Sequence, residues 1–374
     1  MADIFTLEAL NAKHGDALLL HFGKPGAVHH ILIDGGPAGV YPTTVKPRLQ
    51  KLVAADAKAK LDHVLLTHLD DDHVRGVLDY LHEIDAGTAP IACKSFWFNV
   101  FDEVKKEIPP ELSDFHAVST LPAGASSSTA VLANIPQGIE LGKLARKIPV
   151  TVNGGSTKSL VAPDKGLVLA LSPLLKATLV SPSRPRVLAL YQEWKKQVTK
   201  GAPPAAITAD YVDRSVFNLS SLVVVIDSAG LGTKSKRMIL TGDSRGDDVI
   251  DGLTRAGFMK QGTLHVDLLK IAHHGSDRNY KPEFFTQVIA DHYVISADGR
   301  FDNPSATTLE WIAKARGNEK YEVVLTNKAN PAFPILEKNI ADAVAKFPAL
   351  KKALRVRADA DLSVRVDLLD PFKG

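Results

Sequence analysis

The stretch Leu61–Gly76 constrains this chain more than any other. It opens with Val64 to Thr67, a short apolar run with β-branched residues that reads as a buried strand. Five of the next six residues, His68 to His73, are His or Asp, and Leu69 is the exception. Val74, Val77, Leu78 and Leu81 then recur at helical spacing, so a helix leaves the far side. Strand ends that feed helices are where α/β proteins place their chemistry. Imidazoles and carboxylates crowded at such a point repel one another unless a cation holds them, which points to a metal site.

The spacing sharpens this. His68, Asp70, Asp72 and His73 form an H-x-D-x-D-H pattern. Residues two apart in an extended loop point the same way, so His68 and Asp70 can share one ion while Asp72 and His73 turn toward a second. An acidic first turn set against the helix dipole would explain Asp71 and Asp72, but not the flanking histidines.

A Thr-His-x-His-x-Asp-His segment after a buried strand is the signature of the metallo-β-lactamase fold, and this stretch resembles it. The variant with Asp in place of the second His is similar to the ComEC-type metallo-β-lactamase domain, that of the DNA-uptake channel proteins. Further motifs agree in order: Ala12–Ala17, Ile31–Gly36, Asn218–Val223, Leu240–Asp243 and Leu269–Ser276. The likeness runs from about residue 5 to about 310. It implies an α/β chain folded as an αβ/βα sandwich, read here as one domain over 1–374 with a long insertion over 102–171 beside the active-site face. It implies two divalent metal ions and a metal-activated hydroxide that cleaves phosphodiesters in DNA or RNA. Asp34 would lie under the metal loop and buttress it, although a plain Asp-Gly turn is an equal reading. Asp243 would bridge both ions. Of the adjacent His273 and His274, His273 is the expected ligand, with Asp72 and His73, and His274 the supporting group or proton donor.

Two departures from the family pattern bear on the chemistry. The first ion would normally take three histidines; this chain has Asp70 in place of one and offers Asn218 where another would follow. An oxygen-rich first position shifts preference from zinc toward manganese or magnesium. The family's His-Pro after a later strand is Asn303-Pro304 here, and an amide cannot serve as an acid. The turn residues His14 and Asp16 read as local structure, Asp16 capping backbone amides.

Charged residues make up 23% and apolar residues 45% of the 374, the balance of an ordinary globular protein. A net charge of +3 is too small to argue nucleic-acid binding by itself. Cys93 stands alone, so no intramolecular disulfide can form. No apolar run reaches ~18 residues, and no signal peptide is apparent, so membrane insertion is not expected and a cytoplasmic protein is. Helices are expected over Thr44–Lys58, Val187–Val198, Ala306–Arg316 and Ile335–Phe347, and strands over Ile4–Leu10, Ala17–Phe22, His29–Ile33, Leu222–Asp227, Arg237–Leu240, His265–Ile271 and Leu362–Leu368. Arg184, Arg186, Lys195 and Lys196 form a modest basic cluster, by default a solvated face. Besides a nuclease, a hydrolase of small esters (phosphorylcholine, a cyclic nucleotide or a lactam) and a degenerate binding module remain compatible with the sequence.

Overall fold

A computed structural model describes residues 3–99, 129–156, 159–189 and 216–373. Strand residues that alternate between two buried faces set the architecture. In the strand Val223–Ser228, Val223 and Val225 pack outward against helices while Val224 and Ile226 pack inward against the opposite sheet. Both faces are apolar because both are covered, which is why these strands read as continuous hydrophobic runs.

The first sheet takes β1 (Ile4–Leu10), β2 (Leu18–Lys24), β3 (Ala27–Ile33), β4 (Leu61–Leu65), β5 (Cys93–Trp97) and β6 (Thr151–Val152). The second takes β7 (Leu167–Leu169), β8 (Leu175–Ser181), β9 (Val223–Ser228), β10 (Arg237–Leu240), β11 (Leu264–Lys270), β12 (Val288–Ile295), β13 (Glu322–Leu325) and β14 (Leu354–Val356). The last strand, β15 (Ser363–Asp367), returns to pair with β1 at the edge of the first sheet. Each sheet is antiparallel on one side and parallel on the other, β3 to β6 in the first and β10 to β14 in the second.

Phe5, Leu20, Ile33 and Leu65 meet Val224, Leu240, Leu268 and Val324 between the sheets. The outer face of the first sheet is covered by α1 (Lys46–Ala55), α2 (Asp71–Asp85) and α3 (Thr129–Lys147). That of the second is covered by α4 (Gly246–Arg255), α5 (Ala306–Arg316) and α6 (Ile335–Lys346). The result is the expected αβ/βα sandwich, with the parallel strands of both sheets ending on one side. Among the described residues, no helix is long and apolar enough to cross a membrane.

The described part of the middle of the chain adds to the expected elaboration. It is built into the layers as well as reaching the active-site side, where Gln137 Nε2 donates to Asp71 at 2.8 Å. Leu141, Leu144 and Ile148 of the α3 region join the outer core of the first sheet, β6 and β7 extend one sheet each, and Leu160, Ala162 and Leu171 fill the space between the sheets. Periodicity within so short a set of pieces could not show which layer each would join. The remainder of that insertion, 102–128 and 157–158, lies outside the described residues, as do Lys195, Lys196 and most of the helix expected over Val187–Val198. The helix expected from Thr44 begins as a π-helical turn, Tyr41–Val45, and ends three residues early at Ala55. Arg186 is not simply solvated, since its Nε donates to Asp248 at 2.9 Å.

Two backbone approaches lock α2 onto the end of β3. Gly35 N–H donates to the His73 carbonyl at 2.9 Å, and Gly76 N–H to the Gly36 carbonyl at 3.0 Å. A Cβ on Gly76 would lie 1.9 Å from the Gly35 carbonyl oxygen, so only glycine fits. Gly76→Ala is therefore expected to cost about 3 kcal/mol of stability or more through overpacking against backbone. Chemical denaturation measures this, and an unchanged unfolding free energy would contradict the contact.

Candidate metal centre

Four loops at the ends of parallel strands meet over the seam between the sheets. The loop after β4 carries His68 and Asp70 and runs into the first turn of α2, which carries Asp72 and His73; the loop after β10 carries Asp243; that after β11 carries His273 and His274; and that after β12 carries Ser296 and Asn303. Asp243, 1% exposed, sits at the middle. His73 Nε2 is 3.3 Å from its Oδ1, and the Nε2 atoms of His274, His68 and His273 are 3.6, 3.8 and 3.9 Å from its Oδ2. His274 Nε2 also lies 3.3 Å from Asp72 Oδ2, and His68 Nε2 3.8 Å from Asp70 Oδ2.

Each ring is held from behind by its other nitrogen. His274 Nδ1 lies 3.0 Å from the Ser296 carbonyl, which can only accept, so Nδ1 carries the proton. His73 Nδ1 lies 2.8 Å from Asp34 Oδ2, and Asp34 also accepts from Thr67 N–H and Thr67 Oγ1, both at 2.7 Å. Because the Thr67 hydroxyl proton is committed to Asp34, its oxygen is left to accept from His68 Nδ1 at 3.1 Å. His273 Nδ1 meets Asn279 Oδ1 at 2.7 Å. In the neutral form of the rings so fixed, the form that binds a metal, the Nε2 lone pairs of His68, His73 and His274 point inward. Such outer partners set tautomer and orientation at metal-binding histidines.

The residues fit a cation. The Nε2 atoms of His68, His73 and His274 are buried with no hydrogen-bond partner, and they face carboxylate oxygens that can only accept. Ligand atoms about 2.1 Å from one ion, at a tetrahedral angle, are about 3.4 Å apart. The separations of His73 from Asp243 (3.3 Å) and of His274 from Asp72 (3.3 Å) and Asp243 (3.6 Å) match that spacing. Electrostatics agree that the cluster lacks positive charge. Burial, reinforced by the charges of Asp72 and Asp243, pushes the Asp70 carboxyl up to about 8. Burial and the neighbouring His73 charge bring His68 down to about 3. Burial lowers His73 and His274 as well, but Asp243 with Asp34, and Asp243 with Asp16, outweigh it and raise both rings well above the ordinary imidazole range.

The structure distributes the expected residues as follows. His68, Asp70, Asp72, His73, Asp243, His273 and His274 come together. His274, expected to stand behind the ligand, is the ring aimed between Asp72 and Asp243, while the side chain of His273 is 28% exposed toward the cleft. The strand has ended before them: both have positive φ, 48° and 55°, so adjacent side chains need not oppose. The helix after Asp243 begins at Gly246 with Arg245 at its N-cap, so Asp243 does not cap it. Asn218 is buried, its carbonyl accepting from Ser221 N–H at 3.0 Å, and does not line the cleft. Asn303 does line it, with its amide donating to the His273 carbonyl at 3.2 Å.

Sequence reasoning understated Asp16 and missed Lys270. Asp16 is 1% exposed and belongs with His73, Asp243 and His274 to one set of possible ligands. Its Oδ2 accepts from the buried Lys270 ammonium at 2.7 Å, and its Oδ1 lies 3.4 Å from His274 Nδ1. Burial opposes its ionisation, but Lys270 and His274 together bring it down to about 2. The available signal was a lysine inside the apolar run Leu268–Ile271, which in a strand buried on both faces requires a buried partner.

The cluster opens to a cleft of about 760 Å³ whose rim carries His14, Arg278, Arg300 and Phe301. Next to His14, a Cβ on Gly15 would lie 2.0 Å from the Asp72 carbonyl oxygen. Asp34 yields a specific expectation. In Asp34→Asn the amide can donate to His73 Nδ1, which moves the ring proton to Nε2 and removes its inward lone pair. Affinity for manganese or zinc should fall about 10–100-fold, as for other partners of ligating histidines. Equilibrium dialysis tests this, and undiminished binding would contradict the tautomer assignment.

No curated protein matches the chain. The solved structures similar to it include a metallo-beta-lactamase fold protein, YhfI from Bacillus subtilis, at 14% identity and a TM-score of 0.42, covering 97% of this chain and 99% of that one. Residues 27–166, which hold β3 through the H-x-D-x-D-H loop and on to β6, match the model of the Metallo-beta-lactamase superfamily. With two facing sheets, helices on both outer faces and the acid–imidazole cluster at their seam, the chain carries the metallo-β-lactamase fold, a fold of metal-dependent hydrolases.

Proposed function

We propose that the protein is a metal-dependent phosphodiesterase, most closely a nuclease of the ComEC type acting on DNA or RNA in the cytoplasm. The observation that carries an anionic substrate is the rim of the cleft. The exposed side chains of Arg278 and Arg300 stand over the cluster, and neither pairs with a carboxylate among the described residues. Two guanidinium groups beside a metal-binding cluster suit a phosphodiester better than an uncharged lactam.

In this reading His68, Asp70 and Asp243 would hold one divalent ion, and Asp72, His73, Asp243 and His274 a second. When bound, such a pair neutralises charge on a phosphate and lowers the pKa of a water placed for in-line attack. The oxygen-rich first set favours manganese or magnesium over zinc. Asp34, Thr67 and Ser296 keep the three inward rings in the tautomer that leaves Nε2 unprotonated. Arg278 and Arg300 bind and orient the phosphate from the solvent side. His274 takes the ligand position, so His273, partly exposed in the cleft and donating from Nδ1 to Asn279, is left to act as an imidazolium that gives its Nε2 proton to the leaving oxygen and becomes neutral. Asn303, which cannot donate a proton as an acid, holds the backbone of His273.

A small phosphodiester is the second reading, because a volume of about 760 Å³ also suits a drug-sized ligand. Purified protein supplied with manganese should cleave single- or double-stranded nucleic acid, and Asp72→Ala should lower the rate at least about 100-fold. A panel of DNA, RNA, chromogenic phosphodiesters and lactams separates the readings. Hydrolysis of lactams alone, or of nothing in the panel, would overturn the phosphodiesterase assignment.

A further inference from the structure

Away from the cleft, the terminal strands of the two sheets meet. β14 and β15 are each the outermost strand of their sheet, and Arg355 on β14 donates from Nη1 to the Arg365 carbonyl on β15 at 2.7 Å. Beside this junction lies a second pocket of about 610 Å³. Five cationic side chains line it: Arg48, Lys51, Arg355, Arg357 and Arg365. Two carboxylates, Glu8 and Asp361, line it with them. None of these seven residues lines the catalytic cleft.

Five cations face these two carboxylates and a third, Glu322, which accepts from Arg355 Nε at 3.2 Å, an excess of +2. Part of the set forms a rigid floor. Glu8 has no exposure and accepts from Arg48 Nε and lies against His21 Nε2, both at 2.8 Å. Arg357 spends its guanidinium on the carbonyls of Thr326 at 2.8 Å and Asp361 at 2.6 Å and on Asn327 Oδ1 at 2.9 Å. Above that floor, the side chains of Arg355 and Arg365 are 37% and 31% exposed while each leans one nitrogen on a carboxylate, Glu322 at 3.2 Å and Glu8 at 3.5 Å, and Lys51 projects from α1 into solvent. Like charges gathered in a concavity repel one another, and its low-dielectric walls concentrate their field. The folded chain accepts that repulsion without a matching acidic surface in the pocket.

We propose that this pocket is an anion-binding site that takes phosphate groups, separate from the metal centre and independent of it. Planar guanidinium groups match phosphate oxygens in pairs, and Lys51 adds a mobile point charge at the mouth. A small diphosphate and the backbone of a nucleic-acid strand present the same chemistry here.

The test uses the full-length protein in EDTA, so that no divalent ion assists binding at the cleft. Inorganic pyrophosphate is titrated by calorimetry, and a short fluorescein-labelled single-stranded DNA by anisotropy. Lys51→Glu changes an exposed side chain and leaves the core untouched. It should weaken binding of at least one probe about tenfold and lower the salt dependence by roughly one counterion. Arg355→Gln should weaken the same probe. Loss with pyrophosphate marks a small-anion site, and loss with the DNA alone marks a strand site. Binding of both probes by both variants as tightly as by the unaltered protein, or no binding by the unaltered protein, would overturn the proposal.

Discussion

A buried carboxylate, that of Asp34, holds the geometry on which the rest of the site depends. Its two oxygens take a backbone N–H, a hydroxyl and an imidazole N–H from one loop, the one after β4. Burial raises this carboxyl, and the His73 charge together with these donors works against that. The consequence passes outward in two directions. His73 is oriented directly, and His68 through the Thr67 hydroxyl, so one group at the end of β3 sets the tautomers of two rings.

The second half of the cluster is brought from the other sheet by the same kind of construction. Ser296 closes the arrangement from β12: its carbonyl fixes His274 at 3.0 Å, and its hydroxyl donates to the Gly15 carbonyl at 2.6 Å. Gly15 in turn lies under Asp72, so the first turn of the chain, the loop after β4 and the end of β12 are tied into one unit. Buried polar groups in such a network are costly when any member is left unmatched. That cost is concentrated on the inward Nε2 atoms, which is why the cluster calls for a cation rather than for repacking.

The buried pair of Lys270 and Asp16 belongs to the same scheme. A lone ammonium at the end of β11 would be expensive to bury, and so would the Asp16 carboxylate beside Asp72 and Asp243. Placed 2.7 Å apart, each removes the other's penalty, and Asp16 is left ionised against the back of His274.

Much of this was legible without coordinates. The H-x-D-x-D-H spacing, the strand before it and the helix after it are local features, so the loop carrying His68, Asp70, Asp72 and His73 follows from the residues themselves. Short apolar runs likewise mark β1, β9, β10 and β11, and periodic ones mark α5 and α6 within a residue of their observed bounds. Other features depended on which distant groups share one space. The placing of His274, rather than His273, between Asp72 and Asp243 turns on two left-handed backbone positions, and the strength of Asp16 on a lysine more than 250 residues away. The placement of 129–171 within the layers, and the meeting of Arg355 with Arg365, follow from sheet edges formed by segments far apart in the chain. Periodicity reports how a residue relates to its neighbours along the chain, and so determined the elements and the donor types. Burial, tautomer and partnership are set by what packs across the gap, and only the tertiary structure decided those.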